Sequence, residues 1–265
     1  MSDVYTHGHH DSVLRSHRWR TADNSAAYLV DHLQSGLSLL DVGCGPATLT
    51  ADLARRVAPG RVVGIDAAES VLGEARRTVS ELGNVDVQLG DVYKLDFPDA
   101  TFDVVHAHQV LQHLSDPVAA VREMARVCRL DGWVAAREAD YGAMTWWPNL
   151  PALDRWMEIY QGVARSNGAQ PDGGRRLLAW ANAAGLTDLA SSASVWCFAT
   201  PGDRQWWGDL WAERTTTSAF ARQAEDYGVA NAAELAGVAT GWREWAANPD
   251  GWFVVLHGEI VGRPG

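Results

Sequence analysis

Positive charge is scarce in this chain. Lys94 is its single lysine, and 22 Lys and Arg face 33 Asp and Glu among 265 residues, for a formal net charge of −11. Nucleic-acid-binding chains ordinarily carry a basic face that neutralises phosphates, so this balance argues against an RNA or DNA partner and favours a small molecule. Cysteine is equally sparse. Cys44, Cys128 and Cys197 show neither metal-ligand nor disulfide spacing. An odd count with no evident signal peptide leads us to expect a reducing cytoplasm. No apolar run approaches the ~20 residues that span a bilayer, so no membrane partner is expected. There is no internal repeat and no low-complexity linker. Nothing in the composition chooses between monomer and homodimer.

A hydrophobic fraction of 47% is enough for one large core, or for a core with a cap. Its most informative stretch is LLDVGCGPA at 39–47. Leu37, Leu39, Leu40 and Val42 read as a buried strand. Gly43 and Gly45 break it, and Pro46 fits the first turn of a helix. Glycine lets a backbone turn that sharply while leaving room for a ligand. A second strand, Val62–Ile65, ends at Asp66, roughly 20 residues downstream, where a mononucleotide-binding β-α-β unit keeps the acid that grips ribose hydroxyls. A dinucleotide loop needs a third glycine, and that position holds Thr48. A phosphate-cradling P-loop needs a lysine next to the loop, and Lys94 is remote. A ligand with a ribose but no phosphate suits the loop better.

Strand and helix signals alternate around this unit. Asn24 or Ser25 caps an expected helix bearing Ala26, Leu29, Val30 and Leu33. Strands are expected at about 37–42, 62–66, 85–89, 103–108 and 133–138. The intervening helices start at Pro46, span Val71 to Leu82 with a left-handed cap at Gly83, and start at the Asp116-Pro117 pair. Such alternation implies a parallel sheet with helices on both faces. After residue 140 the pattern turns mostly helical. Leu153, Trp156, Met157, Tyr160 and Val163 mark one helix. Asp172 caps another that ends at Gly185. A strand is expected near 193–199, helices over 202–248, and a last strand at Trp252–Ile260. Eleven of the thirteen tryptophans fall in this second half. Small helical caps use such side chains to bury area with few residues, and the same rings can wall a pocket for a flat or lipophilic molecule.

The block DVGCGP resembles motif I of the class I S-adenosylmethionine-dependent methyltransferases. Four further blocks agree in order and spacing: VVGIDAAESVL (62–72), LGDVYKLDFPDATFDVV (89–105), HAHQVLQHLSDP (106–117) and MARVCRLDGWVAA (124–136). The stretch looks most like ubiquinone/menaquinone-biosynthesis-like methyltransferases acting on small molecules. It covers about residues 24–140 well and the rest loosely. The resemblance implies a doubly wound α/β fold with a mostly parallel seven-stranded sheet, its last strand inserted antiparallel beside strand five. On this basis 1–23 is an N-terminal lid, 24–140 the cofactor-binding core, and 141–265 the rest of the sheet with helical insertions at about 141–170 and 202–248.

The resemblance also assigns the cofactor, S-adenosylmethionine. Gly43, Cys44 and Gly45 would approach its methionine half and Asp41 would support that loop. Asp66 would accept the ribose hydroxyls and Ala67 would leave space for adenine. Asp91 would accept the adenine amino group, Val92 would donate its N–H, and Gln109 would face the methionine part. At Ala47 the family usually has glycine; alanine reads as a tolerated variant with helical backbone. No metal is expected: His7, His9 and His10 form a short terminal cluster of the kind that is usually solvated.

Methyl transfer from a sulfonium needs alignment and dryness more than a fixed catalytic cluster. If the acceptor must lose a proton, the candidate bases are His10, His113, Glu138 and Asp140, with His10 preferred as part of the lid. The expected function is methyl transfer to O or C, in preference to N, of an apolar or aromatic small molecule. Two alternatives stand beside it: non-methylating chemistry such as cyclisation or decarboxylation on the same fold, and a non-catalytic binding protein.

Overall fold

The computed structural model describes residues 3–8 and 10–265. Its frame is a single sheet in the order β3-β2-β1-β4-β5-β8-β6, with β7 paired to β8. The strands are β1 (Leu39–Val42), β2 (Val62–Asp66), β3 (Val85–Leu89), β4 (Phe102–His108), β5 (Cys128–Ala139), β6 (Thr145–Trp147), β7 (Thr187–Phe198) and β8 (Trp252–Arg263). β1 to β5 pair in parallel, and β8 lies antiparallel on β5 as expected. The sheet has eight strands rather than seven. The addition is β6, three residues inside the segment expected to be helical, paired to β8 at Trp252–Val254. Residues buried on both faces explain the parallel strands: Leu40, Val63 and Val105 face one core cluster, while Leu39, Val62 and Val104 face another.

The helices are α1 (Asp11–Arg18), α2 (Ala22–Ser25), α3 (Ala27–Val30), α4 (Thr48–Val57), α5 (Glu69–Thr78), α6 (Pro117–Val127), α7 (Pro151–Ser166), α8 (Leu177–Ala184), α9 (Pro201–Thr217), α10 (Ala219–Asp226) and α11 (Ala232–Ala247). Local chemistry starts most of them. Asp116 caps α6 by accepting from the Ala119 N–H, with Pro117 in the first turn. Capping boxes open α9 (Thr200 with Asp203) and α11 (Asn231 with Glu234).

Four local expectations are corrected. The helix expected behind Asn24 or Ser25 is two short helices, and Thr21 is the cap of the first. α5 stops at Thr78, and Gly83 is not left-handed. Asp172 caps no helix: α8 begins after a 3-10 turn at Gly174–Arg176, although it does end at a left-handed Gly185. Finally, α4 begins at Thr48 rather than Pro46, and Ala47 before it is left-handed, with φ 61°. The Ala47 N–H closes a turn onto the Cys44 carbonyl, and the chain needs that turn to pass from the loop into α4. The alanine is therefore strained rather than helical. A β-branched side chain would be worse there. We expect Ala47→Val to cost about 2 kcal/mol of stability, measured by urea unfolding; a loss under about 0.5 kcal/mol would show that the turn relaxes at no cost.

The second half builds its own core. Trp156, Trp211, Trp242 and Trp245 are fully buried and pack with Tyr160, Phe220 and Phe253, so α7, α9, α10 and α11 are tied to β8 through rings. Among the described residues no helix is long and apolar enough to cross a membrane.

Candidate active site

The parallel strands β1 to β4 end on one edge, and the loops there carry the unusual backbone. Gly43 and Gly45 are left-handed, with φ 72° and 54°. A Cβ on Gly43 would lie 2.3 Å from Val110 Cγ2, so glycine is required there on two counts. The Gly43 and Cys44 N–H groups both donate to the Ile65 carbonyl, tying the loop to β2. Asp66 completes the tie. One carboxylate oxygen accepts from the Gly45 N–H at 3.0 Å and the other from the Ala68 N–H at 2.9 Å. A carboxylate offers about four lone-pair sites, so Asp66 keeps acceptor capacity beyond these two bonds. Under the loop, buried Asp41 accepts from Thr50 Oγ1 at 2.5 Å and lies 2.8 Å from His106 Nδ1. Burial pushes the Cys44 thiol up, leaving it a small inert side chain.

Two cavities adjoin at this edge. The first is bordered by the 43–46 loop, Asp41, Thr48 and His108. The second is walled by Tyr5, His7, Gln109, Tyr141, Trp196, Trp207, Trp211 and Arg214. His17 and Arg20 line both. The N-terminal segment therefore forms the partition between them. It is held in place: the His17 carbonyl accepts from Thr48 Oγ1, and Arg214 donates to the Ser12 carbonyl.

The expected residues are distributed unevenly over this site. Asp41, Gly43, Cys44 and Gly45 line the first cavity. Ala67 is exposed beside Asp66. Asp91 is exposed two residues past β3, with Oδ1 accepting from the Tyr93 N–H, and Val92 next to it is buried. Gln109 lies on the turn after β4 with φ 53°, and it lines the second cavity rather than the first. Its side chain accepts from Arg20 at 2.7 Å and meets His257 Nε2 at 2.8 Å.

The four candidate bases line neither cavity. His10 caps α1 through its Nδ1 and faces Glu213. His113 is buried against Tyr5, with its pKa pushed down to about 3 by burial. Asp140 is fully buried and held by the Arg175 backbone N–H and guanidinium. Glu138 is fully buried and accepts from the Val110, Leu111 and Gln112 N–H groups; burial raises its carboxyl to about 7 against these bonds. It shapes the turn that carries Gln109. Sequence periodicity placed Glu138 and Asp140 at the carboxyl end of β5, where they lie, but both are tied up by partners from distant segments.

His7 was expected to be solvated with His9 and His10. It is instead buried, with Nε2 3.2 Å from the Tyr141 hydroxyl and 3.1 Å from that of Tyr160. Burial, then the nearby Arg214, hold its pKa well below the ordinary value, so it is neutral. His9 lies outside the described residues. Among the described residues no three His, Cys, Asp or Glu side chains are grouped to hold a metal ion.

Comparison with known proteins agrees with this geometry. Residues 40–136 match the family model described as a methyltransferase domain. An uncharacterized methyltransferase of Schizosaccharomyces pombe is 34% identical over 97% of this chain and 95% of its own. A demethylmenaquinone methyltransferase of Listeria monocytogenes is 33% identical, but only over 50% of this chain and 54% of its own. Among solved structures, the [4+2]-cyclase SpnF is 25% identical with a TM-score of 0.55, covering 90% of this chain and 80% of that one. The chain belongs to the class I S-adenosylmethionine-dependent methyltransferases.

Proposed function

We propose that this enzyme methylates an oxygen or carbon nucleophile of an apolar or aromatic small molecule held in the tryptophan-walled cavity. The observation that carries this reading is the shared partition. A glycine-loop cavity and an aromatic cavity meet at His17 and Arg20, so molecules seated in the two can touch. The glycine-loop cavity fits an adenosyl sulfonium in one specific respect. Gly43 and Gly45 border it as bare backbone, and no lysine lines it for a phosphate. S-adenosylmethionine, when bound, supplies an electrophilic methyl group.

The chain's own residues then divide the work. Asp66 uses its spare acceptor capacity for the ribose hydroxyls, with Asp41 stiffening the loop from below. Ala67, Asp91 and Val92 stand along the same edge for the adenine. Arg20, which borders both cavities, meets the methionine end, and Gln109 steadies it by accepting from its guanidinium. Residues 1–23 act as a lid, because Tyr5, His7, Ser16, His17 and Arg20 already form one wall of the second cavity. Segments 141–170 and 202–248 form the acceptor cap. The buried, neutral His7 ring lines the acceptor cavity as a hydrogen-bonding group, its Nδ1 having no hydrogen-bond partner among the described residues, and the depressed basicity of the ring argues against its taking a proton.

Incubating the enzyme with methyl-labelled S-adenosylmethionine and an extract of its producing organism tests this. The expected result is label in a small organic product with matching S-adenosylhomocysteine. The likeness to a [4+2]-cyclase favours one alternative, cyclisation without methyl transfer. That outcome would convert the acceptor with no S-adenosylhomocysteine formed.

A further inference from the structure

Arg214 is a charge with no counter-charge. It sits in the last turn of α9, where the helix end favours a cation without pairing it, at 3% exposure and with its guanidinium carbon 4.5 Å from the Trp211 ring centroid. One terminal nitrogen donates to the Ser12 carbonyl at 2.9 Å and to Ser16 Oγ at 3.2 Å. Nε is buried and has no acceptor. Among the described residues no carboxylate lies within ion-pair distance of it. Its chain neighbour Glu213 is half-exposed and pairs with Arg15 instead. Burying an unpaired guanidinium costs several kcal/mol, and native chains rarely leave one so. Its bonds to Ser12 and Ser16 hold the N-terminal segment but go to neutral groups, so they leave the charge itself uncancelled.

The position explains the charge. Arg214 lines the second cavity together with Trp196, Trp207 and Trp211, and it does not border the glycine loop. Arg20, also without a carboxylate partner among the described residues, borders both cavities, so the methionine carboxylate of the cofactor accounts for that charge. It leaves Arg214 unanswered. The guanidinium fork matches a carboxylate in geometry and charge, and the rings around it suit a flat or lipophilic body.

We infer that the acceptor is an aromatic or lipophilic carboxylic acid whose carboxylate pairs with Arg214. This deepens the reading of the second cavity as the acceptor site and rests on it. The ionised acid is selected over its neutral analogues because only the anion relieves the buried guanidinium.

The test is calorimetry on the full-length enzyme with S-adenosylhomocysteine present, using matched probes: indole-3-acetate against indole-3-acetamide, and 2-naphthoate against 2-naphthamide. At least one acid is expected to bind ten times more tightly than its amide. Arg214→Gln should bring that pair within twofold by weakening the acid alone, and Arg214→Lys should keep part of the preference. Because Arg214 also holds the Ser12 carbonyl, S-adenosylhomocysteine affinity is measured in both variants, and any loosening of the N-terminal segment should weaken acid and amide equally, so the acid-to-amide ratio is what decides. The inference is overturned if no acid binds at millimolar concentration, if acids and amides bind alike, or if Arg214→Gln keeps the preference. Should that variant fail to fold, the wild-type comparison and Arg214→Lys still decide. Failure of the methyltransferase reading shows separately, as absent S-adenosylhomocysteine binding, and the acid–amide comparison can be run without that compound.

Discussion

Asp66→Ala is expected to weaken S-adenosylmethionine binding by at least about tenfold. Hydrogen bonds to a charged acceptor are worth about 1.5–3 kcal/mol each, and about 1.4 kcal/mol is already a tenfold change, so losing one ribose contact suffices. The same carboxylate also holds the Gly45 and Ala68 N–H groups, so the substitution loosens the loop as well. The two effects separate by measurement. Calorimetry reads the affinity, and thermal melting of the ligand-free variant reads the loop. A melting point that falls while affinity is unchanged would mean that Asp66 serves the loop alone. Asp66→Asn, which keeps one carbonyl acceptor, should fall between wild type and Asp66→Ala on both readouts.

Acidification is expected to cost about 3 kcal/mol of stability between about pH 7 and about pH 5.5. Burial lowers the pKa of His7, His108, His113 and His257 below the ordinary 6.5. Each is neutral when folded but gains a proton in the unfolded chain once pH drops under 6.5. The stability they contribute is therefore present above that value and lost beneath it. Glu138 works in the opposite sense. Burial raises its carboxyl from 4.5 to about 7, so across this window the folded chain keeps a proton that the unfolded chain releases. Four histidines against one glutamate leave a net loss, at about 1.4 kcal/mol per proton per pH step. Urea unfolding followed by tryptophan fluorescence at the two pH values checks this. Stability that is flat or rises toward pH 5.5 would show that water or partners reach these rings.

The parts of this molecule that were legible in the sequence are those fixed by local backbone needs. Gly43 and Gly45 must turn where few residues can, Asp66 must end β2, and Asp116-Pro117 must start α6, so each is visible within a few residues. The left-handed turn at Ala47 was not legible, because alanine carries no mark of positive φ. Nor was β6, whose three residues pair only because β8 offers an edge. The walls of the second cavity were hidden for a different reason. Tyr5, His7 and Arg20 come from one end of the chain, Tyr141 and Arg214 from far along it, and no spacing rule links them. One signal was present: Arg214 stands three residues after Trp211 in an α9 rich in tryptophan, on the same helical face as that ring. The tryptophans are divided between core and cavity wall. Trp156, Trp242 and Trp245 build core, while Trp196, Trp207 and Trp211 belong to that core and also border the cavity.

The same division runs through the proposed chemistry. The glycine loop sits on the rigid parallel half of the sheet, which fixes the sulfonium side. The acceptor side is assembled from α1, α9 and the turn after β5, where ring packing sets the shape. A methyl transfer needs the two to face each other across a dry gap, and His17 and Arg20 stand at that junction.

A crystal structure grown with S-adenosylhomocysteine tests this most directly. Ribose hydroxyls on the Asp66 carboxylate and a thioether sulfur turned toward the tryptophan-walled cavity are the expected result. A nucleoside seated elsewhere, or a sulfur turned away from that cavity, would contradict the account.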